Sequence, residues 1–240
     1  MNYTTSNNPL LTRSLRPSTL QSGAMTVDGT ATKTLSLFAV LIFGALAAVS
    51  LQLGYAVALA AIIGGLGLAV ATALKPQAAR ITAMPWAFLQ GILLGSVSVA
   101  LERSTHGVVG LAVALTVGAF LTMLMAYRSR LIRPSERFRS GVVGATGAIA
   151  LVYVVGLVLE LAGVRAMASI DLGGSGVVGT GATLVVLAVA VLNLILDFDF
   201  IEQAVAQGAP RSMEWFAAFS LTVTLIWIYI QFLDLLGGED

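Results

Sequence analysis

The stretch "NLILDFDFIEQ", residues 193–203, places three carboxylates, Asp197, Asp199 and Glu202, at the end of a long apolar run. Charge is costly next to lipid, and an ionisable side chain within an apolar segment often marks an ion or proton site. On a helix, Asn193 and Asp197 share one face, whereas Asp199 and Glu202 share another. We assign the first face to the protein interior and the second to the layer of lipid headgroups.

Two interpretations of Asp197 are open at this stage. It is either a structural acid, paired with a cation or hydrogen-bonded to a neighbouring helix, or a titratable gate that binds the passing ion. The candidate cations are Arg80 and Lys75, and the planar fork of arginine makes it the better partner for a buried carboxylate. Burial favours the neutral form of an acid, whereas a nearby cation favours the charged form. An acid subject to both could therefore change charge near neutral pH. Asp199 and Glu202 are more typical of a hydrated acidic cap, although Asp199 is also a candidate ion-gating or ion-binding residue.

The composition determines which elements must position these groups. Of the 240 residues, 58% are hydrophobic and 10% charged, and the mean hydropathy is +0.93, whereas soluble domains carry about 25% charged residues. Runs of roughly 20 apolar residues predict membrane-spanning helices. Seven runs qualify, which predicts an all-α polytopic membrane protein: Leu35–Leu51, Ala56–Leu74, Met84–Leu101, Gly107–Ala126, Gly141–Ala162, Val177–Leu196 and Trp215–Leu236. We expect a mobile cytoplasmic tail over residues 1–32 and the seven-helix domain over residues 33–238.

The distribution of basic residues predicts the orientation. With seven spans, eleven of the 13 Lys and Arg residues lie on one side, and only Arg103 and Arg165 on the other. Because basic loops remain in the cytoplasm, we expect a cytoplasmic N-terminus and an external C-terminus. The five arginines between spans four and five fit this topology signal near anionic lipid, so we expect no nucleic-acid partner.

Glycines and missing residue types bear on packing and chemistry. Gly91 and Gly95 share a helix face and predict a close helix–helix contact. The chain has no cysteine and one histidine, His106, which excludes thiolate zinc sites and cysteine nucleophiles. Neither a zincin His-Glu-x-x-His motif nor a Gly-x-Ser-x-Gly elbow is present. We therefore expect neither an enzyme nor a cofactor.

The stretch "LNLILDFDFIEQAVAQGAPRSMEWFAAFSLTVTLIWIYI", with "MTVDGTATKT", "FLQGILLGSVS" and "MAYRSRLIRPSERFRSGVVGATGAIALVY", resembles bacterial members of the Bax inhibitor-1 (transmembrane Bax-inhibitor-motif) family. The resemblance implies a bacterial inner-membrane protein in which six helices surround the last one. It also implies a pH-sensitive calcium leak pathway, or a regulator of cell death and stress. In this family an acid on span six pairs with an acid on span seven, close to a basic residue. The span-six acid matches Asp197, and the span-seven position holds Thr224.

Two functions from different classes follow. The first is a pH-sensitive cation leak channel or transporter gated by an intramembrane aspartate. Calcium would be the transported ion, bound at Asp197 with oxygens from Asn193 and Thr224, because calcium prefers six to eight oxygen ligands. The second is a non-transporting regulator that binds other membrane proteins, such as a quality-control protease, through its glycine-rich helix faces and short loops. The lipid bilayer is the expected partner in both cases.

Overall fold

The computed structural model describes residues 23–53, 55–132, 134–161 and 177–237. Within them, seven α-helices are long and apolar enough to cross a membrane, which confirms the predicted fold class. In chain order they are α1 (Val27–Ser50), α2 (Tyr55–Leu74), α3 (Ala79–Ser104), α4 (Val108–Arg128), α5 (Glu136–Leu161), α6 (Val177–Ala206) and α7 (Met213–Gly237), with a short 3₁₀ helix, Pro76–Ala78, before α3.

Several helices extend beyond the apolar runs that predicted them. Helix α6 continues ten residues past Leu196, so Asp197, Asp199 and Glu202 all lie inside it. A helix satisfies its own backbone hydrogen bonds, so it need not end where the apolar sequence ends. At about 1.5 Å per residue, the 30 residues of α6 exceed the roughly 30 Å hydrocarbon core of a bilayer.

The last helix, α7, lies at the centre of the bundle. It packs against α1, α3, α4 and α6. In its most apolar segment 61% of the residues are buried, against 33% or less for each of the other six helices. By contrast, α2 packs mainly against α3, and α5 packs mainly against α6. Helix α7 is therefore in contact with protein around most of its circumference, whereas α2 and α5 are peripheral.

The predicted glycine contact joins α1 and α3. A Cβ added to Gly95 would lie 2.6 Å from the carbonyl oxygen of Ala45, and one added to Gly91 would collide with the backbone of Leu41. Gly44 of α1 approaches the backbone of α3 in the same way. Only residues without side chains allow two helices to come this close, which confirms the packing role predicted for Gly91 and Gly95.

Consecutive helices alternate in direction. The start of α1 meets the connection between α6 and α7, and the end of α4 meets the end of α6. At the other end, Thr183 near the start of α6 meets Asp234 near the end of α7. We call the end at which α1, α3, α5 and α7 begin the arginine-rich end, because Arg80, Arg128, Arg130, Arg137, Arg139 and Arg211 lie there.

The predicted boundary between tail and domain needs correction. Residues 27–32, assigned to the tail, form the start of α1, and Thr26 caps this helix by accepting a 2.9 Å hydrogen bond from the backbone N–H of Gly29. Met25 is 2% exposed. The polar composition of this segment does not indicate a helix start, because the residues that pack against it come from the far end of the chain. Residues 1–22 and 238–240 and the loop with Arg165 lie outside the described residues.

Candidate functional site

Asp197 joins α6 to the central helix through two hydroxyl groups. Ser220 donates a 2.7 Å hydrogen bond to Oδ1, and Thr224 donates a 2.6 Å hydrogen bond to Oδ2. Ser220 and Thr224 stand four residues apart on α7, so they share one face of that helix. Each oxygen of this carboxylate, which is 9% exposed, thus has one donor. The prediction that Asp197 faces the interior with Thr224 agrees with this geometry.

A hydrophobic cluster surrounds this contact. Leu194 and Phe198 of α6 pack there with Leu221, Leu225 and Ile228 of α7. From α4, the rings of Phe120 and Tyr127 lie 5.7 and 5.8 Å from that of Phe198, measured between centroids. Hydrogen bonds are stronger in such apolar surroundings, and a carboxylate there depends on its donors more than it would in water.

The structure does not bring the two predicted cations to Asp197. Within the described ranges, no Lys or Arg forms an ion pair with this carboxylate. Arg80 and Lys75 are exposed near the connection between α2 and α3, where Thr72 and Thr82 approach each other at 2.6 Å. Helix α2 packs against α3 rather than α6. An exposed cation remains hydrated, because burying it costs several kcal/mol, on the order of the attraction it gains.

Asn193, predicted to share a face with Asp197, links α6 to a different helix. Its Nδ2 donates a 2.8 Å hydrogen bond to Oγ1 of Thr146 on α5 and a 2.9 Å bond to the carbonyl of Val189. The amide nitrogen therefore points toward α5, whereas Asp197 is bonded to α7. One helical turn on α6 thus makes contacts with two neighbouring helices, and Asn193 does not join the hydroxyl pair around Asp197.

Asp199 and Glu202 have partners on other helices. Asp199 forms an ion pair with Arg139 of α5 and accepts a 2.7 Å hydrogen bond from Gln203. Glu202 is exposed and accepts a hydrogen bond from the hydroxyl of Tyr127 on α4. Asp199 is 14% exposed, so it is less hydrated than the acidic cap that we predicted. Within the described part of the chain, no group of three or more His, Asp or Glu side chains forms a metal cage.

Two residues of this region, Ser220 and Glu214, were not predicted from the sequence. Ser220 could have been found, because it lies one turn before Thr224 on the same face. Glu214, in the first turn of α7, is 1% exposed. It forms an ion pair with Lys33 and a longer one with Arg211, at 3.7 Å. The backbone N–H and the hydroxyl of Thr26 also donate to it, at 3.0 and 3.1 Å.

We call Glu214 with Lys33, Arg211 and Thr26 the Glu214 clasp. It joins the start of α1 to the start of α7, and the ammonium of Lys33 also lies 5.5 Å from the ring centre of Trp215. The signal in the sequence was an acid in the first turn of the last span, three residues after an arginine. Lys33, whose charge compensates the buried carboxylate, is 181 residues away in sequence, so no local pattern predicts this pair.

Another acid, Asp234, lies at the opposite end of the α6–α7 interface. Asp234 of α7 accepts a 3.1 Å hydrogen bond from Thr183 of α6. This pair also joins an acid to a hydroxyl across the α6–α7 interface, but it lies near the helix ends. It offers a natural comparison for Asp197, because the chemistry is shared and the depth in the bundle differs.

A family model described as Bax inhibitor 1 like matches residues 8–238, which is nearly the whole chain. A search of curated proteins found no match.

Proposed function

Because the chain belongs to the Bax inhibitor 1 like family, we propose that it is a membrane-embedded, pH-sensitive cation leak pathway in which Asp197 is the gate. Calcium is the proposed cargo. One observation carries the proposal: Asp197 is buried at the contact of α6 with the central helix and is held by two hydroxyls. A carboxylate whose charge is not neutralised by a neighbouring cation attracts a mobile one.

The ligand set favours brief binding of calcium over tight, long-lived binding. Calcium takes six to eight oxygens, and Asp197, Ser220 and Thr224 together offer four side-chain oxygens. Backbone carbonyls and water would have to supply the others. An ion that binds with an incomplete set leaves readily, as conduction requires. The hydroxyl bonds must break or rotate for an ion to enter, so the contact observed is the closed form of the proposed gate.

Protonation of Asp197 would supply the pH sensitivity. A proton removes the charge that attracts a cation and changes one oxygen from acceptor to donor, so the α6–α7 contact must rearrange. Two charged groups of the neighbouring helices are paired elsewhere: Arg139 of α5 with Asp199, and Lys33 of α1 with Glu214 of α7. Tyr127 of α4 donates to Glu202. Asp197 is therefore the group to which we assign the pH response.

The proposed setting is the bacterial inner membrane, with the arginine-rich end in the cytoplasm. The bias of Lys and Arg toward that end supports this orientation. Asp197 would then lie within the inner half of the bundle. The role proposed is transport, with no catalytic step.

Purified protein reconstituted in vesicles that contain a calcium indicator tests the proposal. We expect calcium flux above that of empty vesicles, and we expect Asp197→Asn to lower this flux and to remove its dependence on pH. Asp234→Asn is the matched control, because it neutralises an acid that also accepts a bond from a threonine of α6, and it should keep the pH dependence. Equal flux from wild-type, Asp197→Asn and empty vesicles would refute the proposal.

A second candidate, a regulator that binds other membrane proteins, is favoured by the surface of α5. This helix packs mainly against α6, and a Cβ added to Gly141, Gly144 or Gly147 would meet nothing within 4 Å. Small residues on an open face are typical of helix–helix association in membranes. Gly144→Leu should then reduce crosslinking to a membrane partner and leave calcium flux unchanged. Crosslinking that yields only lipid and self-contacts would count against this function.

A further inference from the structure

The start of the central helix is attached to the start of α1 by the Glu214 clasp. Three donors converge on the Glu214 carboxylate: the ammonium of Lys33, and the backbone N–H and hydroxyl of Thr26. The guanidinium of Arg211 lies farther away, at 3.7 Å, and adds only an ion pair. A Cβ added to Gly29 would lie 2.6 Å from the carboxyl carbon. The first turn of α1 therefore fits closely against this carboxylate, and small displacements would break several contacts at once.

A short strap of backbone makes a second attachment at the same place. The N–H of Met25 donates a 2.7 Å hydrogen bond to the carbonyl of Ala209, and Arg211 donates from its N–H to the carbonyl of Gly23. Ala24 and Pro210 face each other in this antiparallel bridge. Met25 packs with Ile201 of α6 and Ala217 of α7. The segment before α1 thus touches both helices that form the Asp197 contact.

Helix α7 transmits the position of the clasp to the gate. Ser220 follows Glu214 by six residues of uninterrupted helix, which is about 9 Å along the axis. A helix over this length behaves as a rod. Hydrogen bonds of 2.6 and 2.7 Å between hydroxyls and Asp197 weaken when the helices separate by more than a few tenths of an ångström.

We infer that the Glu214 clasp is a positioning element of the gate, which holds the start of α7 so that Ser220 and Thr224 remain bonded to Asp197. This inference rests on the proposed function. Loss of the clasp loosens the attachment of the start of α7 to α1 and shifts the gate toward its open form. Lys33 and Glu214 are positioning residues, since they act on the ion only through α7.

Lys33→Met tests the inference in the vesicle assay. It removes the ammonium from a buried carboxylate, and we expect calcium flux to rise about five- to tenfold, the size of a typical coupling between sites. Lys33→Arg restores the cation and should return flux close to the wild-type value. Lys75→Met is the matched control, because Lys75 is exposed and lies away from the clasp. Its flux should equal that of wild type.

An engineered disulfide distinguishes positioning from damage to the fold. Ala24 and Pro210 form a non-hydrogen-bonded antiparallel pair, whose Cα atoms lie about 4.5 Å apart, within disulfide range. The chain has no cysteine of its own, so Ala24→Cys with Pro210→Cys creates the one possible bridge. Added to Lys33→Met, the oxidised bridge should lower the flux, and a reductant should raise it again. A misfolded variant would not close reversibly.

The outcomes separate the two proposals. If wild type conducts and Asp197→Asn alters its flux, but Lys33→Met behaves as wild type, the positioning role is wrong and the leak function stands. The positioning role is equally wrong if Lys33→Met leaks to the same extent with the bridge oxidised and reduced. Wild-type flux equal to that of empty vesicles would overturn both proposals.

Discussion

Two buried acids lie near the arginine-rich end, Glu214 on the central helix and Asp197 on α6 facing it, and they are stabilised in opposite ways. Glu214, 1% exposed, has a lysine, an arginine and the capping groups of α1. Asp197, 9% exposed, has two neutral hydroxyls. The first acid is neutralised by its partners, whereas the second is solvated by dipoles but keeps its net charge.

The difference indicates which acid can change state. Removing a partner from an ion pair leaves an uncompensated charge in the interior, so such a pair tends to be permanent. Hydroxyls can rotate and can accept as well as donate. The Asp197 contact therefore tolerates the arrival of a proton or a cation, and the Glu214 contact does not. We regard the first as the moving part and the second as its support.

The largest effect on stability is expected at the clasp. Glu214→Gln leaves Lys33 with a neutral partner in a site where it is 15% exposed, and breaking such a pair costs about 3–5 kcal/mol. Thermal or denaturant unfolding in detergent would measure this loss. Glu136→Gln, an exposed acid in the first turn of α5, is the control and should be nearly neutral. Equal stability of the two variants would remove the contrast between the two acids.

A smaller loss is expected at the hydroxyl pair. Thr224→Val keeps the shape of the side chain but removes one donor to Asp197, and a hydrogen bond to a charged group contributes about 1.5–3 kcal/mol. Thr116→Val is the control, since the hydroxyl of Thr116 bonds to the carbonyl of Ala112 within its own helix. The same unfolding measurement applies. A Thr224→Val loss larger than that of Glu214→Gln would reverse the proposed roles of support and moving part.

Gly29→Ala probes how closely α1 fits the clasp. The new methyl group would lie 2.6 Å from the carboxyl carbon of Glu214, and overpacking of this kind costs about 1–3 kcal/mol. At Gly118 of α4, where an added Cβ meets nothing within 4 Å, the same substitution should raise helix stability by up to about 1 kcal/mol. We expect the melting temperature to fall for Gly29→Ala and to rise for Gly118→Ala, relative to wild type. A stabilising Gly29→Ala would show that the clasp has room to move.

The smallest effect is expected at Arg211. Its side chain is 68% exposed and its nitrogen lies 3.7 Å from Glu214, so Arg211→Gln should cost less than about 1 kcal/mol. Added salt should reduce even this difference, because exposed charges are screened. A loss comparable to that of Glu214→Gln would mean that Arg211, rather than Lys33, neutralises the buried acid.

Much of the fold could be predicted from the sequence, whereas only part of the site could. Seven apolar runs predicted seven helices, because a chain in lipid must satisfy its own backbone hydrogen bonds. Asp197 and Thr224 were expected to face each other, and they are hydrogen-bonded in the structure. Arg80 and Lys75 were proposed from topology alone, which indicates the side of the membrane but not the neighbouring helix. Glu214 was missed, because its partners lie at the other end of the chain.

The number of helices, the uneven distribution of basic residues and the presence of a carboxylate inside an apolar span all follow from local sequence. Hydrophobicity and charge act locally, so each of these can be read from adjacent residues. The partners of the acids, hydroxyls for Asp197 and cations for Glu214, depend instead on how the helices pack. That choice depends on which helix faces lie against each other, and in a bundle of uniformly apolar helices, packing shape selects those faces.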